Sequence, residues 1–210
     1  MIFPWCARSI VAADASSEAD SVGLGPGQIV LIVGPSGAGK DAILREVRGR
    51  LPDPSQFLFA RRVITRAASR AEDHDCISAA QFAARQRQGQ FALSWQAHGL
   101  SYGIPIEIEA AIGAGKCVLC NASRTIVARA RRRYRTPAVV LIDAPVELRA
   151  SRLANRCREQ DADLAARLAR ATDFTAAEAD LIIENTGALA VAATVLIDWL
   201  LAWRHRLPRS

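Results

Sequence analysis

The segment that most constrains this chain runs from Gln28 to Arg50. Gln28-Ile-Val-Leu-Ile-Val33 is an unbroken, largely β-branched run, the pattern of a strand buried on both faces. Gly34-Pro-Ser-Gly-Ala-Gly-Lys40 follows at once, and Asp41–Arg50 then reads as a helix. A G-x-x-x-x-G-K turn between a buried strand and a helix is built for phosphate. Its glycines let the backbone fold so that successive N–H groups face inward at the helix N-terminus. The lysine adds a compact charge that a planar guanidinium supplies poorly. Of 27 basic residues only Lys40 and Lys116 are lysines, so Lys40 stands out against an arginine background.

The candidate phosphate-binding positions are therefore Gly34, Pro35, Ser36, Gly37, Ala38, Gly39, Lys40 and Asp41, with Lys40 also a candidate catalytic residue. At the last position the pattern ordinarily has Ser or Thr, whose hydroxyl faces Mg²⁺; here it is Asp41. A carboxylate is a hard oxygen donor, so Asp41 is a candidate Mg²⁺ ligand, directly or through water. The alternative is that it only favours the positive end of the helix.

Beyond the turn, strand and helix patterns alternate. Strands are expected at Phe57–Thr65, Phe91–Trp95, Cys117–Cys120, Ala138–Ile142 and Leu181–Ile183. Helices are expected after Ser78, over Ile104–Ala111, over 124–133, after Pro145, after Asp163 and at the C-terminal end. Arg66–Asp75 reads as a polar loop. Such alternation predicts an α/β fold, a parallel sheet core flanked by helices on both faces. Half the residues are hydrophobic but only 6% are aromatic, which suits a core of Ala, Val, Leu and Ile.

Net charge is +6 and the pI is near 9.5. Arg124 to Arg170 alone holds twelve arginines against five acids, a surplus that serves bound phosphates or solvated helix faces. No nucleic-acid module accompanies it. The five cysteines are scattered, and Cys117 and Cys120 lie three apart in a strand pattern, on opposite faces. Buried thiols in a reducing cytoplasm are expected. Residues 1–25 read as a loose tail without a signal-peptide pattern, and the apolar C-terminal stretch, interrupted by Asp198, reads as a core helix rather than a membrane anchor.

Gly34–Lys40, then Ile64-Thr65-Arg66 with Glu72, then Tyr102-Gly103, resemble the guanylate kinase group of P-loop kinases. Ala144-Pro145, Leu148, Arg152-Leu153 and Arg156, with Arg167-Leu168, resemble that group's lid. Within it, Lys40-Asp41, Glu72-Asp73-His74, Leu93-Ser94-Trp95 and Asn121-Ala-Ser-Arg124 are most similar to the ribose 1,5-bisphosphate phosphokinases of bacterial phosphonate degradation. The resemblance implies a P-loop NTPase domain over 26–204, with an acceptor-binding region at about 60–104 and a lid at about 155–167. It implies ATP as donor, Mg²⁺ as cofactor, a small sugar phosphate as acceptor, no nucleic acid or membrane partner, and formation of 5-phospho-α-D-ribose 1-diphosphate. Arg66, Glu72, His74, Tyr102 and Arg124 become candidate acceptor residues, and Arg156 and Arg167 candidate lid catalysts. Asn121 stands where the wider group has an acid; Asp143 ends the next strand. A nucleoside-monophosphate kinase and a catalytically silent interaction module of the same fold are the competing readings.

Overall fold

The computed structural model describes residues 26–66, 74–135, 137–156 and 176–206. Its strands are β1 (Gln28–Val33), β2 (Phe57–Phe59), β3 (Arg62–Ile64), β4 (His74–Cys76), β5 (Phe91–Ala97), β6 (Leu100–Pro105), β7 (Cys117–Asn121), β8 (Pro137–Asp143) and β9 (Leu181–Glu184). The helices are α1 (Lys40–Arg50), α2 (Ala79–Arg87), α3 (Ile108–Gly113), α4 (Val127–Arg133), α5 (Val146–Arg156) and α6 (Leu189–Arg206).

Five strands form one sheet in the order β2-β7-β1-β8-β9, every pairing parallel. β1 is central and all six of its residues are buried, as its uninterrupted apolar run requires. Alternate residues feed two cores. Val30 and Ile32 pack with Ile43 and Val47 of α1 and with Leu196 and Leu200 of α6. Ile29, Leu31 and Val33 pack on the other face with Ile108 and Ile112 of α3 and Val127 and Ala130 of α4. Cys117 falls in the first core and Cys120 in the second, so the expected opposite facing holds. Burial pushes the Cys117 thiol up to about 12 and Cys120 higher still, leaving both inert.

A second, four-stranded sheet has the order β4-β3-β6-β5, with β6 antiparallel to both its neighbours. β5 and β6 form a hairpin whose turn places His98 (φ 53°) and Gly99 (φ 69°) in the left-handed region, as the right-handed strand twist favours. α2 covers this sheet through Phe82, which stacks on Phe91 at 4.5 Å between centroids. Ser78 caps α2 as expected, in a reciprocal capping box with Gln81.

Three expectations need correction. The single strand at Phe57–Thr65 is two: β2 pairs with β7 in the large sheet, and after Ala60-Arg61 the chain crosses to the small sheet as β3. Both halves are extended, so a continuous pattern hides the change of partner. Leu100–Pro105 is strand rather than the start of a helix; Pro105 disfavours helical backbone at Ile104, and α3 begins only at Ile108. The polar loop ends early, because His74–Cys76 pairs parallel to β3. Among the described residues no helix is long and apolar enough to cross a membrane.

Candidate active site

The carboxyl ends of β1, β7, β8 and β9 converge where open parallel sheets gather ligands. From β1 the chain enters the glycine turn with φ of 145° at Gly34, 81° at Gly37 and 93° at Gly39, values that side chains rarely tolerate. The turn is also hemmed in. A Cβ at Gly34 would collide with the Ile142 carbonyl, one at Gly37 would lie 2.8 Å from the Arg149 carbonyl, and one at Gly39 would collide with the Asn185 amide. α1 then starts with no side-chain cap, so its first N–H groups are left to an anion.

Lys40 lies over this turn, its ammonium donating to the carbonyls of Gly34 (2.8 Å) and Pro35 (2.9 Å). Burial lowers its pKa to about 8; Asp41 opposes that shift, while Arg62, Arg124 and Arg149 reinforce it. The turn is thus ringed by positive charge. Arg149 is 9% exposed and donates through Nε to the Ala144 carbonyl at 3.1 Å. Arg152, one helical turn on, donates through Nη2 to the Asn185 carbonyl at 3.0 Å, and its buried Nη1 has no hydrogen-bond partner. Burial also lowers the pKa of Arg124, with Asp143 opposing. Cations held this close fit a site for a polyphosphate: the cradle excludes side chains, and an orphaned donor lies beside it.

Asp41 Oδ1 accepts from Arg62 Nη2 at 3.0 Å and from Asn121 Nδ2. Asn121 is 5% exposed and its Oδ1 is buried without a partner. The Asp41 carboxylate is a hard oxygen donor of the kind that holds Mg²⁺, and the Asn121 carboxamide turns its N–H toward it. Asp143 is committed differently: its Oδ1 accepts from the Ala144 N–H at 2.8 Å, and its charge faces Arg124.

The acceptor candidates divide. Arg66 is exposed and lines an open cleft of about 430 Å³ with Thr65, Ile77, Ser78 and Gln81. His74 on β4 is registered opposite Arg62, and Tyr102 on β6 stacks on Trp95 at 5.3 Å. β3 therefore links the two halves, carrying Arg62 to Asp41 and ending two residues before Arg66. Arg124 opens a short 3₁₀ turn just past β7, and Arg156 is the last residue of α5. Glu72, Arg167 and most of the expected lid lie outside the described residues.

No protein-family model matches the chain. It is 49% identical over 177 residues to the ribose 1,5-bisphosphate phosphokinase PhnN of Methylobacterium radiotolerans, covering 84% of this chain and 99% of that one. The namesake from Acidiphilium cryptum is 49% identical over 178 residues, covering 85% and 94%. The chain belongs to the ribose 1,5-bisphosphate phosphokinase family. The chain shares its fold with guanylate kinase: the crystal structure from Anaplasma phagocytophilum superposes with a TM-score of 0.62 at 18% identity, over 86% of this chain and 87% of that one. The α/β P-loop fold expected from the sequence is the fold observed.

In this member of the ribose 1,5-bisphosphate phosphokinase family, four contributors to the site escaped sequence reading. Arg62 and Arg149 look like any other arginine in so rich a background. Arg152 appeared only as a lid landmark. Asn185, 4% exposed just past β9, donates from Nδ2 to the Ala38 carbonyl at 2.8 Å and pins the glycine turn from 147 residues away. An asparagine two residues after the short apolar run Leu181-Ile-Ile183 is too weak a signal to single it out.

Proposed function

We propose that this chain transfers the γ-phosphoryl group of ATP to the 1-phosphate of ribose 1,5-bisphosphate, giving 5-phospho-α-D-ribose 1-diphosphate and ADP. The observation that carries the reading is the ring of Lys40, Arg62, Arg124, Arg149 and Arg152 around a turn closed to side chains. An acceptor phosphate oxygen is already ionised at neutral pH, so no base is required. It attacks the γ-phosphorus, the bond from that phosphorus to the bridging oxygen breaks, and ADP departs with the electron pair. Positioning and charge neutralisation then do the catalytic work.

In this reading the backbone of Gly34–Gly39 and α1 holds the β-phosphate, and Lys40 leaves its carbonyl partners for the β- and γ-oxygens. Arg149 and Arg152 approach the transferring group from α5, and Arg156 and Arg167 complete the lid. Arg66, Glu72, His74, Tyr102 and Arg124 hold the acceptor. Mg²⁺, held by Asp41 with Asn121 beside it, neutralises oxygen charge on the donor when bound. A coupled ADP-release assay with ribose 1,5-bisphosphate and Mg²⁺-ATP tests the function. Turnover that needs both substrates and yields the diphosphate is expected; ADP release independent of the sugar phosphate would overturn it.

A further inference from the structure

The chain leaves the large sheet at Ala60, whose N–H donates to the Leu119 carbonyl of β7 at 2.9 Å, and β3 of the small sheet begins at Arg62. The two arginines at this crossing turn different ways. Arg61 pairs with Asp75 of β4 at 2.8 Å, and both side chains are more than half exposed. Arg62 pairs with Asp41 in the first turn of α1 at 3.0 Å, and its side chain is only 16% exposed. Exposed pairs contribute little, whereas a largely buried guanidinium–carboxylate contact is a stronger and more directional bond. The Asp41 oxygen that accepts from Arg62 also accepts from Asn121, the last residue of β7. One carboxylate oxygen thus takes a donor from each sheet. We infer that Arg62 is a positioning residue for phosphoryl transfer: through Asp41 it fixes the acceptor sheet, and with it Arg66, against the helix that carries Lys40.

Arg62 opens β3, and Arg66 follows four residues later, just after the Thr65 N–H donates to the Ser101 carbonyl of β6 at 3.0 Å. Lys40 and Asp41 are the first two residues of α1. A shift of β3 against α1 is therefore a shift of the acceptor cleft against the glycine turn. Transfer between two bound phosphates tolerates little of it, since a displacement of about 1 Å can cost about a hundredfold in rate. Asn121 holds the same oxygen from the large sheet, so removing the Arg62 guanidinium frees the acceptor sheet and leaves the Asp41–Asn121 contact in place. The consequence is a fall in kcat with ATP binding intact.

The inference rests on the proposed phosphoryl transfer, and two measurements keep them apart. The first is steady-state kinetics of full-length wild type, Arg62→Met and Arg62→Lys with ribose 1,5-bisphosphate and Mg²⁺-ATP. Arg62→Met, which keeps the apolar stem, is expected to lose about ten- to a hundredfold in kcat while KM for ATP stays within about twofold. Arg62→Lys should recover about threefold or more, because the contact is a single N–H to one oxygen. Unchanged kcat in Arg62→Met overturns the inference, as does a lysine variant no faster than the methionine one. A rise confined to the acceptor KM also overturns it, by making Arg62 a direct phosphate contact. The second measurement is hydrogen exchange in EDTA without nucleotide. Amides of β3 and β4 should exchange faster in Arg62→Met and in Asp41→Ala, and the double variant no faster than either, because residues acting through one contact are not additive. Additive acceleration overturns the inference. Should Arg62→Met lack a cooperative melt, the neutral and shorter Arg62→Gln decides: about tenfold lower kcat at unaltered KM for ATP supports the role, and wild-type kcat overturns it. A wild type that turns over no sugar phosphate brings down the proposed function and the positioning role with it; normal turnover with additive exchange removes only the positioning role.

Discussion

At the residue scale, Lys40 carries the heaviest demand. Its ammonium is aimed at charge that grows during transfer, where one such contact is worth a factor of about 10³ or more. Lys40→Ala is expected to lose at least that much kcat while keeping its melting transition, as measured by single-turnover kinetics and circular dichroism. The lowered pKa has a second consequence. Between about 8 and the ordinary lysine value near 10.5, the unfolded chain keeps a proton that the folded chain has released. The Lys40 contribution to stability in the free protein therefore rises with pH across that window and is absent below it. Nucleotide binding runs the other way, because phosphate favours the charged form. Calorimetry in buffers of different ionisation enthalpy should show proton uptake on ATP binding at pH 8 and above, and Lys40→Ala should abolish it. Asn185 tests the support of the turn: Asn185→Ala leaves the Ala38 carbonyl unpaired, a loss of about 1–3 kcal/mol in urea unfolding, with a raised KM for ATP.

At the element scale, the acceptor sheet depends on a close contact. A Cβ on Gly103 of β6 would lie 2.5 Å from the Phe91 ring, which is itself stacked on Phe82 of α2. Gly103→Ala forces that ring out of its place between sheet and helix, and overpacking of this kind costs about 1–3 kcal/mol. Hydrogen exchange should quicken in β3, β5 and β6, and the acceptor KM should rise, while β1 and β8 keep their protection. The same elements show what the sequence could and could not reveal. β1, β7 and β8 were legible because each is a continuous apolar run, and the glycine turn because its spacing is dictated by phosphate. β3 was expected as strand but not its change of sheet, and β4 has only three residues, His74-Asp75-Cys76, too few and too polar for a period of two to emerge. Asp41 could be named from its place in the motif; its partners Arg62 and Asn121 lie 21 and 80 residues away and meet only when two sheets close on α1. Asn185 is hidden for the same reason.

At the scale of the whole molecule, two sheets divide the work. The large one presents the glycine turn and its cations at the carboxyl ends of its strands, and the small one offers the cleft beside Arg66. Arg62 ties them together through Asp41. The fold is shared with guanylate kinase, so the scaffold does not decide the acceptor; the side chains around the cleft do. A guanine pocket reads its base with paired hydrogen-bonding groups, whereas a ribose bisphosphate asks chiefly for cations at two phosphates. The direct measurement is steady-state kinetics on one preparation with ribose 1,5-bisphosphate and with GMP, both under saturating Mg²⁺-ATP. The prediction is a kcat/KM for ribose 1,5-bisphosphate larger by about a hundredfold or more, in the range that a mismatched polar site imposes. A kcat/KM for GMP equal to or above that for the sugar phosphate would contradict it.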